Sequence, residues 1–559
     1  MKPARALGLL LALATGCATV PSRPAPPRVL TLSVVGTSDL HGRVEMLPWL
    51  GGHIRALRAA RHGAVLLVDA GDMFQGTIAS NLDEGATVIA AYNALGYHAA
   101  AIGNHEFDYG PEGEATFASR AGEDPRGALR ARAREARFPF LAANLVEGER
   151  PPAWENVRAS TIVEAGGVRV GIVGVSTIHT GATTLAANFR GLEMRPLAES
   201  IAREAAALRA QGAVAVVVAA HAGGACRRFN DPHDLSSCED REEVMDLARA
   251  LPAGAVDLVI GGHTHRGMAH VVNGVPVIQS YANGVSFGRA ELTIDRVAGR
   301  VQAVRVLPPR SVCEGQRGEP DAARCAPAPY EGVAVTPDEA VARAIAPAVA
   351  RAEAVRARPV GVTLEGALDT TYDRESPLPN LLADVMRAAT PGADVALMNH
   401  GGVRVDLPAG PLLYGSLYNA LPFDNRLVTV RMRGRELAAV IARNAAGDSG
   451  ALAMSGVRAA VRCEGGHPVA TLTREDGRPV GPDEELSVAT NDYLAGGSFR
   501  SHVVTVLSDE EVLRGPLLRD AVAEALRGMG PTLRGSDPRW FDRERPRAAL
   551  PSARPVRCE

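Results

Sequence analysis

Between residues 29 and 307 short apolar runs, at 32–35, 65–68, 99–102, 214–220 and 256–260, alternate with amphipathic stretches such as 199–211. Apolar runs this short predict buried strands, and the 3.6-residue spacing of the longer stretches predicts helices laid against them, so the class is α/β. The composition then shifts. Residues 308–329, rich in proline, glycine and cysteine, predict a stapled connector. Residues 337–358 have helical composition around Pro347 and predict a linker helix, kinked where proline removes an N–H. From 359 to 559 strands and helices mix again, with helices predicted at 380–389 and 434–444, and the arginine- and proline-rich end from 534 runs over the surface.

A chain of 559 residues exceeds what one core serves, since single cores stop growing at roughly 250 to 300 residues. Two folded domains, 29–307 and 359–559, joined by 308–358, are expected. Ahead of them Lys2 and Arg5 precede an apolar run at 7–14 and the small residues Thr15 and Gly16, which predicts a signal peptide over 1–16, too short to span a bilayer. Cys17 follows Gly16 as at a bacterial lipoprotein cleavage site, with Ala14 where leucine is usual. A lipid on Cys17 and a proline-rich tether over 17–28 are therefore expected, on an exported protein, periplasmic or at the cell surface, that meets membrane only through that lipid.

Six further cysteines in an exported chain predict three disulfides. Of about 15 connectivities, proximity favours Cys226 with Cys238 and Cys313 with Cys325, leaving Cys463 with Cys558. Zinc ligation by these cysteines is the weaker reading, because no C-x-x-C spacing occurs. The formal charge of -3, from 60 basic and 63 acidic residues, leaves no footprint for a nucleic-acid polymer or an anionic membrane. The single lysine, Lys2, lies in the segment expected to be removed, which excludes Schiff-base catalysis and a phosphate-loop lysine.

Each of the five apolar runs ends in a polar cluster. Asp39 and His41 follow the first, Asp72 the second, Asn104, His105 and Asp108 the third, His221 the fourth, and His263 and His265 the fifth. Strands of α/β proteins deliver ligands this way, because loops at their carboxyl ends converge on one crevice. In Asp39-x-His41 and His263-x-His265 an extended backbone is expected to point both side chains to one side. The set is carboxylate, imidazole and one amide without thiolate, which suits manganese, zinc, cobalt or iron and argues against a structural zinc site. Two such cations roughly 3.5 to 4 Å apart supply a nucleophile from water at neutral pH and stabilise charge on a phosphoryl group. One such pair alone would more often be a capping or surface accident; all of them in order, each after a strand, would not. The other histidines, His53 and His270 among them, are read as surface or satisfied core residues.

These residues, in this order, resemble the calcineurin-like metallophosphatase superfamily and, more closely, the bacterial 5′-nucleotidase / UDP-sugar hydrolase / 2′,3′-cyclic phosphodiesterase family, over nearly the whole mature chain. The resemblance implies a four-layer β-sandwich flanked by helices over 29–307, then the linker helix, then a C-terminal α/β nucleotide-recognition domain. By the same resemblance Asp39, His41, Asp72 and His265 hold one divalent ion, and Asp72, Asn104, His221 and His263 hold a second, with Asp72 bridging. His105, oriented by Asp108, would act on the attacked phosphate.

In the second half Asn399-His400-Gly401-Gly402-Val403-Arg404 resembles the family's turn whose arginine binds substrate. The segments around Phe423 and Asn425, and around Tyr493, resemble those whose rings sandwich a base, and Gly456 completes the implied set. The implied substrate is a small-molecule 5′-mononucleotide, with nucleotide-sugar pyrophosphates and 2′,3′-cyclic nucleotides as further candidates. Three positions depart from the family: His400 replaces a glycine, Tyr372 stands for an arginine near Arg374, and Ser498 stands where an aspartate holds the ribose hydroxyls. The alternatives are a thiosulfohydrolase-like enzyme of the same superfamily and a surface lipoprotein that binds without catalysis, against which the complete ligand set argues. Gly284-Val285-Ser286-Phe287-Gly288 matches the serine-nucleophile pattern, but residues 291–295 alternate like a strand where that motif needs a helix.

Overall fold

The computed structural model describes residues 27–558 apart from 114, 119, 121, 316–320, 448, 497–506, 508–510 and 513–514. The signal peptide, Cys17 and Ser498 therefore lie outside the described residues.

Two sheets stack in the first half. One has the strand order Arg300–Ser311, Ser286–Asp295, Val29–Thr37, Val65–Asp69, Ala99–Ala101, Phe140–Leu141, Val157–Arg158. The other runs Gly267–Val272, Val275–Ser280, Leu258–Gly261, Ala215–His221, Val168–Ser176, Ser160–Ala165. Leu32, Val34, Leu66 and Val68 of the first sheet meet Val170, Ile172, Val217 and Ile260 of the second in one buried cluster. The opposite faces are covered as well. Val35 and Leu67 share a cluster with helices Leu47–Ala60 and Ala86–Leu95, and Val216 and Val218 share one with Leu197–Ala210 and Glu243–Ala250. Strands covered on both faces lose the period-two alternation, which is why these runs read as continuously apolar. The result is the expected helix, sheet, sheet, helix layering.

Topology places the site. Val29–Thr37, Val65–Asp69 and Ala99–Ala101 are parallel neighbours, as are Ala215–His221 and Leu258–Gly261, so the five predicted exits leave from carboxyl ends. Ser286, the serine of the rejected motif, is buried at the start of a strand and donates to Ser280 O at 2.6 Å.

The three disulfides pair Cys226 with Cys238, Cys313 with Cys325 and Cys463 with Cys558. The linker helix spans Glu339–Arg356 and continues through Pro347; Asp338 caps it, accepting from Ala340 N at 2.9 Å and Val341 N at 3.2 Å. Its Val341, Ile345 and Ala352, together with Val312 and Tyr330 of the connector, are buried in the same cluster as Leu57 and Leu95 of the first half. In the second half a sheet ordered Leu427–Arg433, Glu485–Asn491, Val395–Asn399, Leu452–Ser455 carries Pro377–Ala389 on one face and Gly434–Ala446 on the other.

Candidate metal centre and cleft

The exits converge. Ligand atoms of Asp39, His41 and His265 lie within 4.8 Å of one another, and so do those of Asp72, His221 and His263. Asp72 Oδ2 stands between the groups, 3.1 Å from His221 Nε2 and 3.9 Å from His41 Nε2. Asn104 Oδ1 is 2.9 Å from His221 Nε2. His41 Nδ1 lies 2.9 Å from Gln75 O and His221 Nδ1 lies 2.9 Å from Ala70 O. A carbonyl only accepts, so both Nδ1 atoms carry a proton and both Nε2 atoms are the ones turned to the centre. Burial would lower His221, but Asp72 and Asp39 outweigh it and raise it to about 10, so a cation bound there would displace the Nε2 proton. The Nε2 atoms of His41 and His265 face each other at 2.9 Å, and Asp39 Oδ2 is buried without a hydrogen-bond partner. Acceptors crowded in this way fit divalent cations. Burial pushes His263 and His265 down to about 3, so both imidazoles are neutral, as ligation needs.

One expectation needs correction. The backbone of the D-x-H and H-x-H pairs is not extended: φ is 53° at Asp39, 48° at His41, 75° at His263 and 57° at His265, and 58° at Asp72. The strands end before these residues, at Thr37, Asp69 and Gly261, and the chain must double back to wrap around a point. Left-handed turns do this where an extended pair would only run past it.

Glu106 holds the turns together and was not singled out in the sequence. Its carboxylate, 1% exposed, accepts from Asp72 N at 2.9 Å, Gly103 N at 2.6 Å and Met73 N at 2.7 Å. Burial, with Asp72 nearby, pushes its carboxyl up to about 8. His105 sits above the centre, with Nδ1 2.6 Å from Asp108 Oδ2, and its backbone N–H donates to Asp72 Oδ1 at 2.9 Å. Burial alone would pull this imidazole down, but Asp108 and Asp72 outweigh it and raise it to about 9. Thr184, also unforeseen, donates to the other oxygen of Asp108 at 2.8 Å.

The centre opens into a cleft of about 960 Å³ whose far wall belongs to the second half. Asn399, Arg404, Phe423, Asn425 and Tyr493 all line it. The Phe423 ring lies 5.8 Å from that of His105 and 5.9 Å from the Arg404 guanidinium carbon. Asn425 donates to Asp492 at 3.0 Å, and Asn399 accepts from Asn491 at 2.9 Å. Gly456 is elsewhere, in a turn beside Asp394 and Arg387, outside the cleft wall. Tyr372 and Arg443 line the cleft, whereas Arg374 does not. His400 is buried with Nδ1 2.7 Å from Thr371 O, turned from the cleft to anchor the segment that bears Tyr372. A third group, Cys226, Cys238 and His270, has its two sulfurs joined to each other.

Residues 32–267 match the calcineurin-like phosphoesterase family, and residues 350–504 match the 5′-nucleotidase C-terminal domain. The chain is a metal-dependent phosphoester hydrolase of the calcineurin-like class. Both domains together, in this order, place it in the 5′-nucleotidase family. Protein UshA of Yersinia enterocolitica is 26% identical over 561 residues, covering 91% of this chain and 94% of UshA. Endonuclease YhcR of Bacillus subtilis is 25% identical over 520 residues, but the matched part is 89% of this chain and only 40% of that protein. Among solved structures, the 5′-nucleotidase precursor from Thermus thermophilus shares the fold with a TM-score of 0.70 and 24% identity, covering 93% of this chain and 99% of that one.

The Glu106 cradle makes a direct prediction. Above about pH 8, where Glu106 is a carboxylate, Glu106→Gln keeps the shape but turns an amide nitrogen toward N–H donors, so stability should fall by about 1 to 3 kcal/mol and bound metal should drop with it. Urea unfolding and elemental analysis measure the two, and an unchanged midpoint with full metal content would show the cradle to be dispensable.

Proposed function

We propose that this chain hydrolyses 5′-nucleotides using two divalent cations of manganese, zinc, cobalt or iron. Asp39, His41, Asp72 and His265 would hold one, and Asp72, Asn104, His221 and His263 the other. The observation that carries this reading is a single cleft with Asp72, His263, His265 and His105 on one wall and Phe423, Tyr493 and Arg404 on the other. When bound, the cations supply a nucleophile from water at neutral pH and neutralise phosphoryl charge.

The side chains supply the rest. Asp108 fixes His105 through Nδ1, which leaves Nε2 to donate to a phosphoryl or leaving oxygen. Arg404 offers a planar guanidinium beside Phe423, suited to a phosphate or to the edge of a nucleotide. Phe423 and Tyr493 offer faces on which a base of any identity stacks. Because the rings and the metal ligands belong to different domains, substrate is held between the domains, where ligand pockets commonly form.

Export is supported by the N-terminal segment and by three disulfides, and no helix among the described residues is long and apolar enough to cross a membrane. A lipid on Cys17 would anchor the protein outside the cytoplasm.

Chelation should abolish hydrolysis and added manganese, cobalt or zinc should restore it, while Asp72→Asn, folded by circular dichroism, should lose activity by at least about 1,000-fold, the scale seen when transition-state electrostatics are removed. A folded Asp72→Asn enzyme near wild-type rate would sink the bridging role. The double variant Phe423→Ala with Tyr493→Ala should lose about 1 to 3 kcal/mol of kcat/KM per ring on nucleotides and little on a small aryl phosphate. Equal losses on both substrates would make the rings structural, and no loss on either would mean that the substrate has no base. Mass spectrometry of the mature N-terminus should find an acylated Cys17, and Cys17→Ser should leave the membrane fraction; an unlipidated terminus at another residue would refute the anchor.

A further inference from the structure

The two aromatic segments of the second domain are hydrogen-bonded across the cleft, on one side to Gln75, whose own carbonyl holds His41, and on the other to Ala182, whose neighbour Thr183 holds Asn104. The carbonyl of Pro422, next to Phe423, accepts from Gln75 Nε2 at 3.0 Å and from Asn81 Nδ2 at 3.1 Å. Gln75 is buried, and its own carbonyl accepts from Nδ1 of His41 at 2.9 Å. Asn81 is fixed in turn, since its Oδ1 accepts from Gly76 N at 3.0 Å and Tyr109 OH at 2.8 Å. On the opposite side the hydroxyl of Tyr493 donates to Ala182 O at 3.3 Å. The next residue, Thr183, accepts from Asn104 Nδ2 at 2.9 Å, and the one after it, Thr184, donates to Asp108.

We propose that Gln75, with Asn81, is a positioning residue that couples closure of the recognition domain to the metal centre. Its side chain latches the Phe423 segment while its carbonyl sets the imidazole of His41. Residues 182–184 make the second contact of the same kind, tying Tyr493 to Asn104 and to the partner of His105. Sites linked through one two-state element bias each other reciprocally, so whatever closes the cleft tightens the hold on metal, and bound metal favours the closed form. Outer-shell groups of this sort orient ligands without touching the ion. The coupling rests on the assignment of His41 and Asn104 as ligands and is independent of what the rings bind.

The test uses full-length protein loaded with manganese and no nucleotide. Gln75→Met keeps the length and the backbone carbonyl but deletes the donor. Asn81→Asp keeps the acceptor for Gly76 and Tyr109 and sets a second oxygen against Pro422 O. Tyr493→Phe removes only the hydroxyl. Small-angle scattering reads the spread of the two domains, and chelator competition reads manganese affinity. Each variant should enlarge the radius of gyration and bind the weaker manganese about tenfold less tightly, the low end for outer-shell partners. Asn81→Asp stands in if Gln75→Met does not fold. Opened domains with unchanged affinity would overturn the coupling, and an unchanged radius would overturn the latch. A folded protein that takes up no manganese or zinc would overturn the ligand assignment and the coupling with it, whereas failure to bind a base would alter neither measurement.

Discussion

Left-handed backbone at non-glycine residues is the constraint on which this molecule depends. Asp39, His41, Asp72, His263 and His265 all have positive φ, each at a cost of about 1 to 2 kcal/mol. Such conformations persist only where the surroundings over-determine them. Here each exit loop is pinned by another: Asp39 N donates to Gly71 O at 2.8 Å, His41 N to Asp72 O at 3.1 Å, and His263 N to Asp39 Oδ1 at 2.8 Å. No loop makes its turn alone. The stacked sheets supply the rigid frame that brings the strand ends within reach of one another, and Glu106 gathers the amides of two loops onto one carboxylate.

The centre faces a second domain that answers it in polarity. Carboxylates, the neutral imidazoles of His263 and His265 and the raised His105 on one side meet Arg404, Arg443 and two rings on the other. The substitution of His400 for glycine leaves this wall intact, because the imidazole points back to Thr371 O. Its effect is indirect: it holds the segment from which Tyr372 reaches the cleft, so a phenol stands on this wall beside Arg404 and Arg443.

Much of this was legible in the sequence because each strand and its ligands are contiguous. Five apolar runs followed by Asp, His or Asn state both the layer and the edge from which the ligands emerge, and the cysteine spacing stated the local disulfides. What the sequence does not carry is geometry set by distant neighbours. The left-handed turns at Asp39 and His263 arise from bonds between loops far apart in the chain, and local pattern predicts extension there. Glu106 looks like one more acid beside His105 until four amides from two loops are seen to converge on it. Gln75 and Thr184 are polar residues in loops and Asn81 ends the short helix Ile78–Asn81, all in segments of ordinary composition. Gly456 belongs to the substrate site only by the family resemblance, and its place beside Asp394 depends on the packing of the second sheet.

The linker helix bears on how this chain can be taken apart. Val341, Ile345 and Ala352 are buried against Leu57 and Leu95, and Val312 and Tyr330 lie in the same cluster. A cut at residue 307, where the last long strand fades in the sequence, would strip an apolar roof from the catalytic half and leave it sticky rather than free. The smallest portable unit therefore runs through Arg356. Recombination of this catalytic half with another recognition domain would have to carry the connector and helix along as part of the same module, with the crossover point downstream of the helix.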